Sequence, residues 1–194
     1  KGNETDLDAL DLLGVLKEKD PGNIMFDEEF SDILLVFDYD PQDNRFTEER
    51  IRLMLNYFCE STDNGKLYIN YPMCESFKHL KSDPDDEYKN RVVDYSIVAS
   101  GKYKELVGKE TKYPTIRDYS KKHFDSIIIH NIKKAYYITK NKYQIIDSKG
   151  SYYELDPEYI LQVQNDFLKN SKNIYVLNTC LFFICDYKID LVLK

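Results

Sequence analysis

Ile33-Leu34-Leu35-Val36-Phe37-Asp38-Tyr39-Asp40-Pro41 is the stretch that sets the reading of the whole chain. Five consecutive apolar residues bounded by charged ones predict a strand buried on both faces, as inside a parallel sheet. Pro41 ends it, because proline cannot donate to the ladder. Such a strand carries Asp38 and Asp40 to its carboxyl end, where α/β sheets hold their ligands. Residues two apart share one face of a strand, so the two carboxylates are expected to converge. They repel each other unless a cation lies between them or one is protonated. Hard oxygen ligands of this kind suit Mg2+ or Mn2+. The plainer alternative is a solvated strand end turning at Pro41.

Downstream, Thr47 is an N-cap with Glu48 and Glu49 in the first helical turn, where the helix dipole favours acids. Ile51, Met54, Leu55 and Phe58 then form one apolar stripe. Asp63-Asn64-Gly65 turns the chain, and Leu67 to Tyr71 reads as a second strand closed by Pro72. Strand, helix and strand in this order predict a βαβ unit with parallel strands. Glu75, just past the second strand, is expected to project into the same crevice as Asp38 and Asp40. Its position in a helical first turn needs no function, however. Asn70 and Lys78 are candidates for holding a substrate phosphate, with a Glu75–Lys78 surface pair as the rival explanation.

Upstream, Asp6 to Lys19 has helical spacing and is stopped by Asp20-Pro21-Gly22. Beyond Met73 the pattern turns helical: a short helix to Leu80, a long one from Thr115 to about Thr139, and another capped by Asp156 with Pro157 at its first position. Ile174 to Tyr187 is ambiguous, and its length favours helix. The predicted fold is a small parallel α/β sheet flanked by helices over residues 1–100. A mostly helical region over 101–194 follows, and the two are compatible with one continuous domain.

Charge is uneven along the chain. Residues 1–40 hold 12 acids and 3 bases, whereas 102–142 hold 11 bases and 4 acids. The acidic total argues against histone-like coating of nucleic acid. The basic stretch, with Lys121, Lys122, Lys133 and Lys134, is a candidate phosphate-binding face or simply a solvated helix face. Asp83, Asp85, Asp86 and Glu87 are expected to cap a segment and face water. The three histidines show no metal-ligand spacing. Cys59, Cys74, Cys180 and Cys185 read as buried free thiols of a reducing, cytoplasmic environment. No apolar run reaches the length of a membrane span, and no basic, apolar leader opens the sequence. Walker A, G-x-G-x-x-G and G-x-S-x-G motifs are absent, which removes the functions that depend on them.

Asp38-Tyr39-Asp40, with Asn70-Tyr71-Pro72-Met73-Cys74-Glu75-Ser76-Phe77 downstream, resembles Toprim-like proteins, and in particular the OLD-like and RloB-like nucleases of bacterial phage defence. The resemblance spans about Asp32 to Leu80. It implies a magnesium-dependent hydrolase of DNA or RNA phosphodiesters, with Asp38, Asp40 and Glu75 as metal-binding and catalytic residues. It further implies a separate ATPase as controlling partner; a homo-oligomer is also open. Toprim domains carry one more glutamate at the end of a first strand. Glu4 has no hydrophobic strand before it and is not assigned that role; the missing strand would be expected upstream of Lys1. Rival readings are a haloacid-dehalogenase-like phosphatase, weakened by Pro41-Gln42 after the aspartates, a D-x-D nucleotide-sugar transferase, and a non-catalytic Toprim-like module that senses or scaffolds a partner.

Overall fold

A computed structural model describes residues 11–43, 46–144 and 155–191. Over these residues the chain is a mixed α/β fold with two small sheets packed among helices. Helix α1 (Leu12–Lys19) is capped by Asp11, whose carboxylate accepts from the Gly14 N–H. The part of the expected helix before residue 11 lies outside the described residues. Strand β1 (Leu34–Asp38) follows, then α2 (Glu48–Tyr57), whose cap is Thr47 accepting from the Arg50 N–H. A short β2 (Cys59–Glu60) and the long β3 (Gly65–Tyr71) complete the first unit.

As the sequence predicts, β1 and β3 are parallel, in register from Leu34 opposite Lys66 to Asp38 opposite Asn70. Gly65 starts β3 at φ +108°, and a Cβ there would meet the Leu35 side chain at 2.6 Å, so both backbone and space demand glycine. The sheet is mixed, however, because β3's other edge is shared by two short antiparallel strands. β2 covers its start and β6 (Leu177–Asn178) its end. In the gap between them Thr179 stands in for a strand: its hydroxyl accepts from the Ile69 N–H (2.9 Å) and donates to the Ile69 carbonyl (2.8 Å).

The expectation of a strand buried on both faces is overturned. β1 is an edge strand, paired only with β3 among the described residues. Leu35 is buried, but Leu34, Val36 and Phe37 keep 39%, 48% and 40% of their surface exposed. An apolar run reports hydrophobicity and not the number of neighbouring strands, and here the described residues supply one neighbour, β3.

The second sheet joins β4 (Val92–Asp94) antiparallel to β5 (Asn173–Tyr175). Between β4 and β5 come α3 (Tyr95–Ala99), α4 (Tyr103–Glu110), α5 (Lys121–Lys140) and α6 (Pro157–Ser171). Short α7 (Phe182–Tyr187) comes after β6. The predicted Asp156 cap with Pro157 at the first helical position is present. The long helix begins at Lys121, after a separate 3-10 turn at Ile116–Asp118, because Ser120 and His123 form a reciprocal cap there. Ile174 to Tyr187 proves to be strand, strand and helix. Both sheets thus cross residue 100: β3 needs β6, and β4 needs β5.

The core centres on α5 and α6, which pack on each other, while α6 also packs against α2. Tyr39, pointing away from its flanking aspartates, is buried against Tyr71 and Phe46 and donates to Asn165 Oδ1 on α6 at 2.6 Å. That bond pins the end of β1 to the helical layer. None of the described helices is long and apolar enough to cross a membrane.

Candidate functional site

The carboxyl ends of β1 and β3 lie side by side because the strands are parallel and in register. Asp38 ends β1 directly opposite Asn70. Pro72 then closes β3, and a 3-10 turn (Cys74–Lys78) carries Glu75 back towards Asp38. Three of the predicted residues therefore meet: Asp38, Asn70 and Glu75.

Their electrostatics show how closely. Partial burial raises the Asp38 pKa above the usual aspartate value. The negative charges of Glu75 and, more weakly, Asp40 raise it further, against the favourable Cys74 N–H and the Asn70 side chain. Asp40 thus lies on the same side as Asp38 but farther off, and it is exposed. Burial works to raise the Glu75 pKa too, but it is outweighed. The Cys74 thiol donates to Glu75 Oε2 at 3.0 Å, and Lys104 Nζ from α4 stands 3.3 Å from Oε1, so Glu75 stays below the ordinary glutamate value. The cation beside Glu75 is Lys104 and not Lys78, which corrects the expected pair.

Asn70 is fully buried, and neither polar atom of its amide finds a hydrogen-bond partner of proper geometry, although the amide lies close enough to Asp38 to favour its ionised form. Ser76 Oγ is likewise buried and unpaired. Orphaned buried polar groups cost about 1–3 kcal/mol each; two of them lie next to the carboxylate pair here, and Gln164 and Asn165 on α6 carry others.

Sequence reasoning missed several neighbours. Asn178, opposite Asn70 on β6, donates to the Cys74 carbonyl at 3.1 Å and accepts from the Cys180 thiol at 2.7 Å. Burial, helped by the charge of Asp38, pushes the Cys180 thiol up to about 11. The Cys74 thiol also rises to about 11, first from burial and then from Glu75 and Asp38. No local signal in the sequence marks Asn178 or Cys180, since they come from more than 100 residues away. The cysteines themselves are not uniformly buried: Cys59 and Cys74 are exposed, and all four are free.

As ligands, Asp38 and Glu75 offer two hard carboxylates and Asn70 an amide oxygen. Among the described residues, no three Asp, Glu, His or Cys side chains gather closely enough to hold a metal by themselves. The expected three-acid convergence of Asp38, Asp40 and Glu75 is therefore not formed. A donor set of two carboxylates and an unpartnered amide fits Mg2+, which keeps several waters and takes one or two carboxylates, better than a cation needing a full protein cage.

The four candidate lysines of α5 do not form one continuous exposed face. Lys134 is fully buried, donating to the Arg91 carbonyl with its ammonium 4.9 Å from the centre of the Tyr88 ring, and burial drives its pKa well below the lysine value. It cannot meet a substrate. Lys133 is half-buried, over the Tyr143 ring. Lys121 and Lys122 are exposed at the start of α5, the former paired with Asp125 at 2.5 Å. Lys78 is half-buried.

Of the acidic run, Asp83, Asp86 and Glu87 are exposed as expected, and Asp85 is the exception. Asp85 is buried, 2.5 Å from Arg91 Nη1, and accepts from the Lys81 N–H, while its own N–H donates to His130 Nε2. Asp83 accepts from Tyr113 and Ser126. His79 is buried between Tyr103 and Glu110, and burial lowers its pKa against the pull of Glu110. His79 and His130 thus act as buried hydrogen-bonding partners within the packing.

Compared with protein-family models, with curated proteins and with solved structures, the chain matches none. The geometry at the end of β1 and β3 is accordingly the basis for any functional reading.

Proposed function

We propose that the Asp38–Asn70–Glu75 end of the parallel pair is a magnesium-dependent site for hydrolysis of DNA or RNA phosphodiesters, in the manner of a Toprim-like nuclease. The observation that carries this reading is the juxtaposition of Asp38 and Glu75, two acids from neighbouring strand exits, beside a buried amide that has no partner of its own. Asp38, Glu75 and the Asn70 oxygen would hold Mg2+ or Mn2+, with Asp40 reaching it through water. The metal would supply an activated water and offset charge gathering on the phosphate. The Cys74 N–H and Asn70 favour the ionised form of Asp38, which a cation requires. Lys104 keeps Glu75 ionised and, being largely exposed, is free to swing off when a cation or phosphate arrives. Of the four candidate lysines on α5, Lys121 and Lys122 remain exposed to steer a nucleic-acid backbone.

The test is cleavage of end-labelled single- and double-stranded DNA and RNA. Mg2+-dependent cutting, abolished by chelation and by Asp38→Asn, is expected. Phosphate release from phosphomonoesters without strand cutting would instead indicate a phosphatase.

A second reading, a non-catalytic Toprim-like interaction module working with a partner ATPase, draws on the same site. Glu75 already has a cation in Lys104, and the third acid stands off. Magnesium binding with no cleavage of any of these substrates would favour the module.

A further inference from the structure

Among the described residues, no strand guards the outer edge of β1. In a parallel ladder the backbone groups of alternate residues face alternate neighbours. Ile33 accepts from Lys66, and Tyr39 donates to Asn70, so the odd-numbered residues of β1 face β3. The N–H and C=O groups of Leu34, Val36 and Asp38 consequently face outward, where no described strand meets them. The side chains of Leu34 and Val36 share one face of that edge and are substantially exposed. Proteins ordinarily blunt such edges with lysine, proline or a bulge, and none of these interrupts Leu34 to Asp38.

The charge around the edge names its occupant. Residues 20–43 contain eight acids and no lysine or arginine. Glu28, Glu29 and Asp32 precede β1, and Asp38, Asp40 and Asp43 end or follow it. A second copy offering the same edge would set these acids against one another, and like charges brought together across an interface are strongly disfavoured. We propose that the outer edge of β1 receives an extended segment of a partner protein, apolar where it lies beside Leu34 and Val36 and bearing lysine or arginine beyond its ends. Backbone pairing gives the affinity and the flanking charges the selectivity, as in other strand additions. The proposal shares the charges of Asp38 and Asp40 with the nuclease reading but needs neither metal nor cleavage, since the pairing uses the backbone groups of the edge.

The probe is a ten-residue peptide of alternating valine and threonine with two lysines at each end, and its control has glutamates in place of the lysines. Titration with the intact protein is expected to show saturable binding of the basic peptide. Binding of the glutamate peptide should be at least about tenfold weaker, since reversing four rim charges outweighs the 1.4 kcal/mol of one decade. In wild-type protein the amides of Leu34, Val36 and Asp38 should exchange freely when alone and slowly with the peptide, while those of Leu35 and Phe37 stay protected throughout. Val36→Pro should abolish binding, and Val36→Lys, which keeps the backbone donor, should weaken the basic peptide alone. Equal affinity for both peptides, or no binding, overturns the proposal. So does protection of the outer amides in the free protein, which would mean that the chain covers its own edge. Concentration-dependent dimerisation abolished by Val36→Lys would assign the edge to a second copy and overturn it likewise.

Discussion

Replacing Asp38 by asparagine keeps the shape of the strand end and removes one negative charge from a crowded place. The Asp38 pKa is raised because burial and the charge of Glu75 disfavour its ionised form. A carboxyl whose pKa is higher in the folded than in the unfolded chain binds more protons when folded. Stability is therefore greatest below the ordinary aspartate range and falls as pH climbs through the raised value. At neutral pH the wild type carries that loss, and Asp38→Asn does not. With the carboxylate partly open to water, screening holds the gain to about 0.5–1 kcal/mol, or about 1–4 °C in Tm for a chain of this size. Magnesium reverses the order. At a hundred times its Kd, a cation that binds only the folded state stabilises it by about 2.7 kcal/mol, or about 5–11 °C. In Asp38→Asn that increment should vanish. Thermal melts of both proteins, each with and without magnesium and at pH 5 and 7.5, give all of these quantities. Two results refute the reasoning: Asp38→Asn melting below wild type without metal, or an equal magnesium shift in both.

Further outcomes follow from other contacts. Lys104→Ala removes an exposed ion pair worth about 0–1 kcal/mol and should leave the melt unchanged while tightening magnesium binding, read by calorimetry; weaker binding would mean that Lys104 supports the metal. Thr179→Val strips the Ile69 N–H and carbonyl of their partner at a cost of about 1–3 kcal/mol for each group left unpaired, whereas Thr179→Ser should recover most of it in urea unfolding. Asp85→Ala should cost about 3–5 kcal/mol by leaving the Arg91 charge buried, and joint replacement of Asp85 and Arg91 by Leu and Met should cost far less. Lys134→Met should bind nucleic acid as wild type does. Because the Lys134 pKa is depressed in the fold, wild-type stability should also rise with pH from neutral towards about 10, a rise that Lys134→Met would lack.

The parts of this fold that are written locally were legible. The Thr47 cap, the Asp156-Pro157 helix start and the parallel β1–β3 pair depend on neighbours within a few residues or on one short crossover. What was not legible depends on distant partners. Ile174 to Asn178 becomes strand because Asn70 and Val93 offer edges to it. Lys134 and Asp85 look like surface charges until Tyr88, Arg91 and His130 are brought around them. Of the candidate site, the meeting of Asp38, Asn70 and Glu75 could be read from two strand ends. The standing-off of Asp40, the Lys104 pair and the Asn178–Cys180 support could not.

The split neighbour of β3 also fixes a timetable for synthesis. Asn70 and Tyr71 wait for Leu177 and Asn178, and Val93 waits for Ile174, so neither sheet can close while the ribosome is still short of that point. Pairings this far apart form late, after the shorter loops. The acidic end of the sheet, whose asparagine amide faces Asn178 across the ladder, therefore takes its finished shape only when translation has passed residue 178. A nascent chain released earlier would expose β3 and β4 together.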